Sequence, residues 1–329
     1  MRCLAVAEFL ISQKNTVHFA MQSVSEQLRP RIEDAGINII DLAEKQSTIP
    51  GLRETVMAMG ADILVLDGYH LSYDTEQAFR ETPVRTIRFD DYMPGDRCYA
   101  NIVVNASPHA KRSEYQTWAS GADLLLGPRY IAFRSDMIAG YHARQGVIEN
   151  HDVPPASIMV NFGGSDPLDM TLATVKALSE QLPDVTIEAV TGAAYPKPQQ
   201  LADLNLKNFK HHHNSGNLAA IIQRARLAIS AGGLTVQELA LFRVPTILAI
   251  TAANQVKGAH VSWCKTLRPN WQSEDKNTDK IIAEIALEAH ALWHSDQKRT
   301  QIIDRIPAEL DIHGSKRISD AMLKEPVLA

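Results

Sequence analysis

Residues 227–255 read LAISAGGLTVQELALFRVPTILAITAANQ, and the rest of the chain can be worked outward from them. An apolar run ends at Ser230 and Ala231-Gly232-Gly233 breaks it. Thr235 opens an amphipathic turn through Glu238 and Leu241, and Val244-Pro245 starts a second apolar run that closes at Asn254-Gln255. This spacing predicts strand, glycine turn, helix, strand. Paired glycines at a strand-to-helix junction let a ligand come close to the backbone, and the unpaired N–H groups of the following helix attract an anion such as a phosphate. Glu238, in the first turns of that helix, is placed to accept hydrogen bonds from the vicinal hydroxyls of a sugar carried on the phosphate. Glycines used only for packing, with Glu238 on a solvated face, are the alternative reading of the same residues.

A chain of 329 residues is long for one core and sufficient for two. With 45% hydrophobic and 22% charged residues it has the composition of an ordinary globular protein. The net charge of −5 leaves no basic field for nucleic acid or for an anionic membrane. Cys3, Cys98 and Cys264 are odd in number, far apart and without a CxxC, which argues for a reducing, cytoplasmic setting and against a zinc site. No run approaches 18 apolar residues and the first residues lack a signal-peptide layout, so membrane insertion is not expected.

The chain begins with helical periodicity, Leu4, Ala7 and Leu10 sharing a face. Strands are then expected over 16–20, 37–41, 63–67, 84–89, 101–104 and 123–126, with helices over 24–35 and 52–59. Such alternation predicts parallel βαβ units. Asp67-Gly68-Tyr69, Asp90-Asp91 and Asn105 each follow the C-terminal end of a strand, where open α/β sheets carry their ligand groups, although polar residues there are more often caps and turn formers. Pro154-Pro155 reads as a linker, and the domain boundary is expected near residue 146.

Beyond it, a strand over 156–162 runs into a second glycine turn, Gly163-Gly164-Ser165-Asp166-Pro167, and a helix over 170–182. Ser165 or Asp166 is placed to cap that helix, and its N–H groups to hold a diphosphate. Neither GxGxxG nor GxxxxGK[ST] occurs, which weakens dinucleotide and P-loop readings. Strands over 185–190 and 209–212 and a helix over 218–224 lead back to the opening stretch; helices over 256–267, 281–293 and 317–323 follow it. His211-His212-His213 cannot all close on one metal ion from a strand, because adjacent side chains point to opposite faces.

With its glycines, Thr235, Glu238-Leu239, Pro245 and Asn254-Gln255 in order, the opening stretch resembles the nucleotide-sugar half of GT-B proteins that use UDP-sugars. Together with Asp67-Gly68-Tyr69, Asp90-Asp91, Gly127-Pro128-Arg129-Tyr130 and Asn161-Phe162-Gly163-Gly164-Ser165-Asp166, the whole chain is similar to the UDP-2,4-diacetamido-2,4,6-trideoxy-β-L-altropyranose hydrolase family of pseudaminic acid biosynthesis. The resemblance implies an α/β GT-B fold, two Rossmann-like doubly wound domains (1–146 and 147–329) facing a cleft. It implies a metal-independent, inverting hydrolysis in which water displaces UDP from the anomeric carbon, with no cofactor, in a cytoplasmic monomer that serves flagellin or surface-polysaccharide glycosylation. Carried over by motif, Gly163, Gly164, Ser165 and Gly233 hold the diphosphate and Glu238 the ribose, with Gly232 and Thr235 also among the substrate-binding residues. Tyr69, Asn254 and Gln255 meet the sugar and the water, and Asp67 and Asn105 line the substrate side. The family's general base is a His at the end of a glycine-rich loop that follows the first strand. The match here starts just after that loop, so this His has no counterpart, the first strand of the N-terminal domain is expected to be missing, and catalysis by residues 1–329 is expected to be impaired. A UDP-sugar glycosyltransferase and a UDP-sugar-binding protein without catalysis are the competing expectations.

Overall fold

A computed structural model describes the chain except residues 27, 69–70, 94, 150–155, 251–254, 257–260, 268–277 and 325–329 and the side chains of 45–46 and 147–149. The linker expected at Pro154-Pro155 lies outside the described residues. Two compact units result, one made of Met1–Ser135 with Glu309–Ala329, the other of Asp136–Ala308.

Unit 1 contains α1 (Arg2–Ser12), β1 (His18–Met21), α2 (Arg29–Asp34), β2 (Asn38–Asp41), α3 (Ile49–Ala58), β3 (Ile63–Leu66), α4 (Tyr73–Gln77), β4 (Arg85–Phe89), β5 (Ile102–Asn105), α5 (Arg112–Trp118) and β6 (Asp123–Leu126). Among the described residues every strand pairing is parallel, as the strand and helix alternation predicts, but the strands fall into two sheets, β1-β2 and β3-β4-β5-β6. The helix expected over 24–35 is shorter: Pro30 stands in the first turn of α2, where its missing N–H costs nothing.

Unit 2 contains α6 (Ser135–Glu149), β7 (Ser157–Asn161), α7 (Met170–Gln181), β8 (Thr186–Thr191), α8 (Pro198–Ala202), β9 (Phe209–His213), α9 (Leu218–Arg224), β10 (Ala225–Ala231), α10 (Thr235–Leu241), β11 (Thr246–Ala249), β12 (Lys265–Leu267), α11 (Thr278–Trp293) and α12 (Asp296–Ile303). Its six strands form one parallel sheet in the order β12-β11-β10-β7-β8-β9. This is the doubly wound order, with the first strand central and the direction of winding reversing between β7 and β10. Ile158 and Val160 of β7, Leu227 and Ile229 of β10, Met170, Val175 and Leu178 of α7 and Ile285 of α11 share one core.

Three expectations need correction. Of the helix expected over 256–267, residues 257–260 lie outside the described residues, 261–264 pass through a turn, and 265–267 form β12, which extends the sheet as a parallel neighbour of β11. The domain division departs from 1–146 and 147–329 at both ends. The guanidinium of Arg144 on α6 donates to the carbonyls of Ile222, Gln223 and Ala225, so that helix belongs with unit 2 from Asp136 onward. The last helix, α13 (Gly314–Leu323), returns to unit 1: Ile318 and Met322 join the core of Ile87 and Val104, and Arg85 donates to the terminal carbonyls of Ala321 and Met322. Gly314 is required there, since a Cβ would fall 1.8 Å from the carbonyl oxygen of Ile131.

Candidate functional site

Both glycine turns of unit 2 issue from adjacent strand ends. β7 and β10 pair directly, with Asn161 opposite Ser230, so Gly163-Gly164 and Gly232-Gly233 emerge side by side at the point where the winding reverses. Crevices outside the strand ends at such a point are where open α/β sheets bind their ligands. The side chain of Asn161 is buried and shapes the first turn: its Nδ2 donates to Val190 O (2.9 Å) and its Oδ1 accepts from Gly163 N (3.3 Å). Gly163 takes φ +90°, a conformation that favours glycine.

Gly163, Gly164 and Gly233 are open: a Cβ on any of them would meet nothing within 4 Å. Their neighbours are tightly fitted. A Cβ on Gly192, just past β8, would lie 2.6 Å from Gly164 Cα, and one on Gly232 would lie 2.9 Å from Gln255 Cβ. The latter contact brings Gln255 against the second glycine turn. Thr235 and Glu238 are half-buried on the first turn and a half of α10, whose other face (Val236, Leu239, Ala240) enters the core. Leu234, 51% exposed, stands beside Gly233.

Asp166 is the cap of α7. It is buried, at φ +41°, and its carboxylate accepts from Met170 N (3.0 Å), Thr171 N (2.7 Å) and Thr171 Oγ1 (2.6 Å). These amides therefore already hold a negative group, and a diphosphate near this turn is left the main chain of Gly163 and Gly164 and the exposed Ser165. Sequence reading missed what lies behind the cap: Asp169 takes a hydrogen bond from Tyr195 Oη (3.1 Å) and an ion pair from Lys197, fastening the segment after β8 to the start of α7. Burial, with Asp169 adding to it, raises the pKa of the Tyr195 phenol.

The histidines alternate as a strand requires. His211 Nε2 and His213 Nδ1 both meet Thr191 Oγ1 (2.8 and 3.1 Å), while His212 faces the buried Glu188, which also takes two bonds from Arg224. Burial pushes the His211 imidazole pKa down, and its two neighbours add to that. For Glu188, burial acts upward, but the bonds from Arg224 and His212 outweigh it and hold the carboxyl below the usual range. Among the described residues no three metal-ligating side chains come together.

In unit 1, Asp67 lies just past β3 and is bound by Arg2, which bridges it to Asp91 (2.7 Å to each) above the ring of Phe89, with Cys3 Sγ 3.1 Å away. Burial acts to raise the Asp67 pKa, and Arg2 more than reverses it. No local signal in the sequence links Arg2 to these two carboxylates. The segment after Asp67 is held by Arg88, which pairs with the buried Glu76 and donates to the carbonyls of Leu71 (3.0 Å) and Ser72 (3.2 Å). Asn105 is 4% exposed, with Nδ2 on Tyr115 Oη (2.6 Å) and Oδ1 on Ser107 N (2.8 Å); Tyr115 in turn reaches Asp90. A substrate contact from Asn105 requires one of these bonds to be exchanged. Tyr69 and Asn254 lie outside the described residues.

No family model matches the chain. Over 243 residues it is 24% identical to the uncharacterized protein MJ1062 of Methanocaldococcus jannaschii, covering 71% of this chain and 48% of that protein. Over 248 residues it is 23% identical to the spore coat polysaccharide biosynthesis protein SpsG of Bacillus subtilis, covering 72% of this chain and 66% of that one. It thus spans about half of one curated relative and under two thirds of the other. Among solved structures, the UDP-GlcNAc 2-epimerase of Neisseria meningitidis bound to UDP-GlcNAc superposes with a TM-score of 0.66 at 11% identity, covering 99% of this chain and 98% of that one. MurG of Acinetobacter baumannii superposes with a TM-score of 0.63 at 14% identity, covering 98% and 95%. These likenesses show the fold: the chain is a GT-B protein of two Rossmann-like units.

Proposed function

We propose that this protein binds a UDP-sugar at the β7/β10 glycine turns and hydrolyses it to UDP and free sugar. The substrate class we infer is a UDP-linked 2,4-diacetamido-trideoxyhexose of nonulosonic acid synthesis, used in the cytoplasm by a monomer. The observation that carries the reading is the pairing of Asn161 with Ser230, which sets two open glycine turns together at the sheet's reversal point with Glu238 one turn further on. Main-chain N–H groups of Gly163, Gly164 and Gly233, with Ser165 and Thr235, would hold the diphosphate; Glu238 would take the ribose hydroxyls; Gln255, against Gly232, would reach toward the sugar with Asn254 and Tyr69.

In this reaction the oxygen of water bonds to the anomeric carbon from the face opposite UDP. The carbon–oxygen bond to the β-phosphate breaks, and its electron pair leaves on UDP while the water gives up a proton to a base. Donors fixed around the diphosphate lower the barrier because they meet the charge that grows on the leaving group. That one of the structural neighbours is bound to UDP-GlcNAc, and that SpsG is named for polysaccharide biosynthesis, supports a UDP-sugar as substrate. A glycosyltransferase would use the same cradle, and the likeness to MurG favours it as the second reading.

Incubating the protein with UDP-GlcNAc and with the diacetamido sugar nucleotide separates the possibilities. Free sugar formed without acceptor supports the hydrolase. Turnover only with an acceptor means a transferase, binding without turnover means a sugar-nucleotide-binding protein, and no affinity for UDP contradicts all three.

A further inference from the structure

The first glycine turn has a neighbour that the proposed cradle does not use. Residues 192–197, just past β8, run beside residues 164–169: a Cβ on Gly192 would lie 2.6 Å from Gly164 Cα, and at the other end Tyr195 Oη (3.1 Å) and Lys197 Nζ both bind Asp169, which precedes α7. Both segments follow strands that pair in parallel, so they share the edge of the sheet from which the glycine turns emerge. Tyr195 is buried, and Lys197 stands between Pro196 and Pro198, whose rings restrict the backbone on each side of it. The cradle itself is neutral. Main-chain groups of Gly163, Gly164 and Gly233 and the hydroxyls of Ser165 and Thr235 can donate hydrogen bonds, but none carries a positive charge, and the carboxylates of Asp166 and Asp169 stand at the start of α7. A diphosphate settling there adds negative charge beside them, and like charges in a partly desolvated crevice oppose it unless a cation joins.

We propose that Lys197 is the cation of the diphosphate site: it leaves Asp169 when the ligand arrives and forms an ion pair with the phosphate oxygens held at Gly163-Gly164. This rests on the reading of a UDP-sugar site at the β7/β10 turns and adds the residue that neutralises the bound anion. The pair with Asp169 is suited to exchange. The side chains of Lys197 and Asp169 are 42% and 33% exposed, and ion pairs so open to water contribute little to stability, so opening this one costs little. Lys197 occupies Oδ2 and Tyr195 donates to Oδ1, so Asp169 keeps the buried phenol as a partner when the ammonium leaves. Glu188 shows the contrast: it is 1% exposed, Arg224 and His212 bind its two oxygens, and removing either would strand a buried charge. An ammonium on a flexible four-carbon stem also suits the move, since it acts as a point charge with no planar fork to realign.

Titration of UDP and of uridine into the protein and into Lys197→Met, Lys197→Arg and Asp169→Asn tests this, with the thermal midpoint of each recorded. Lys197→Met should weaken UDP binding about tenfold and leave uridine binding unchanged, because only the diphosphate loses a partner, and Lys197→Arg should restore most of the UDP affinity. Asp169→Asn should tighten UDP binding about threefold, because it frees the ammonium and removes a competing negative charge. The two halves of one ion pair thus act in opposite directions on UDP, which a purely structural role for the pair would not give. UDP bound equally well by Lys197→Met, or weakened alike by Lys197→Met and Asp169→Asn, would overturn the proposal and leave the UDP site standing. A wild-type protein without affinity for UDP would overturn the underlying reading together with it.

Discussion

β3 and β7 are both short apolar strands that end at a polar residue and a turn, ILVL before Asp67-Gly68 and SIMVN before Phe162-Gly163. β7 has a partner on each side and all five of its residues are buried; among the described residues β3 has one partner, and three of its four residues are half-buried. What separates them is neighbours, since strand preference expresses packing against adjacent strands more than any property of the backbone. A ligand site built on the ends of strands inherits that difference. In unit 2 the glycine turns stand on strands fixed from both sides. In unit 1, Asp67 stands on β3, which pairs with β4 alone among the described residues, and is held in place by Arg2.

The largest expected effect is on local stability. Amides of β7 and β10 should open only with global unfolding, while those of β1 and β3 open at free energies lower by several kcal/mol, out of a total on the order of 5–15 kcal/mol. Native-state hydrogen exchange reads this directly, and equal protection in the two units would break the comparison.

Side-chain truncation sharpens it. Ile229→Ala removes a fully buried side chain at the centre of unit 2 and should cost about 2–5 kcal/mol, whereas Val65→Ala in half-buried β3 should cost no more than about 1 kcal/mol. Urea denaturation of both variants gives the ratio, and a larger loss from Val65→Ala would mean that β3 is as well packed as β7.

The glycine turns, and with them the doubly wound order of unit 2, were legible because a glycine pair ending an apolar run has few other uses. The alternation of strands and helices likewise announced two parallel α/β units. The rest depended on residues far away in the chain. Helix α6 was hidden by Gly140 and Gly146 in a polar stretch, and Gly140 is there because a Cβ would lie 2.8 Å from Ala219 Cβ. The return of α13 to unit 1 rests on Arg85 capping it from 236 residues away. Asn105 read as a strand-end ligand because nothing local reveals that Tyr115 takes its amide. β12 read as helix because a three-residue edge strand carries too short a pattern to show a period of two.

A smaller effect is expected from Gly192→Ala. The new methyl would press on Gly164 Cα, and relieving that contact should cost about 1–3 kcal/mol and shift the first glycine turn, so UDP affinity should fall along with stability. Calorimetry that finds full affinity in a destabilised protein would separate Gly164 from the site.

The smallest effect is electrostatic. Because His211 has its pKa lowered on folding from an ordinary value near 6.5, the unfolded chain binds more protons just below that pH, and the contribution of this residue to stability is present above it and lost as the solution is acidified. Denaturation midpoints should therefore fall between about pH 6.5 and 5, and His211→Gln should flatten that slope while leaving unit 1 exchange unchanged. An unaltered slope would place the titration elsewhere.

The central claim, that unit 2 holds the uridine diphosphate with Glu238 on the ribose, is tested most directly by titrating UDP into the protein and into Glu238→Ala. Loss of the carboxylate should leave ribose hydroxyls unpaired and weaken binding by about 1–3 kcal/mol, which is roughly 5- to 150-fold in Kd, with the fold intact by circular dichroism. UDP affinity that is unchanged in the variant would contradict it.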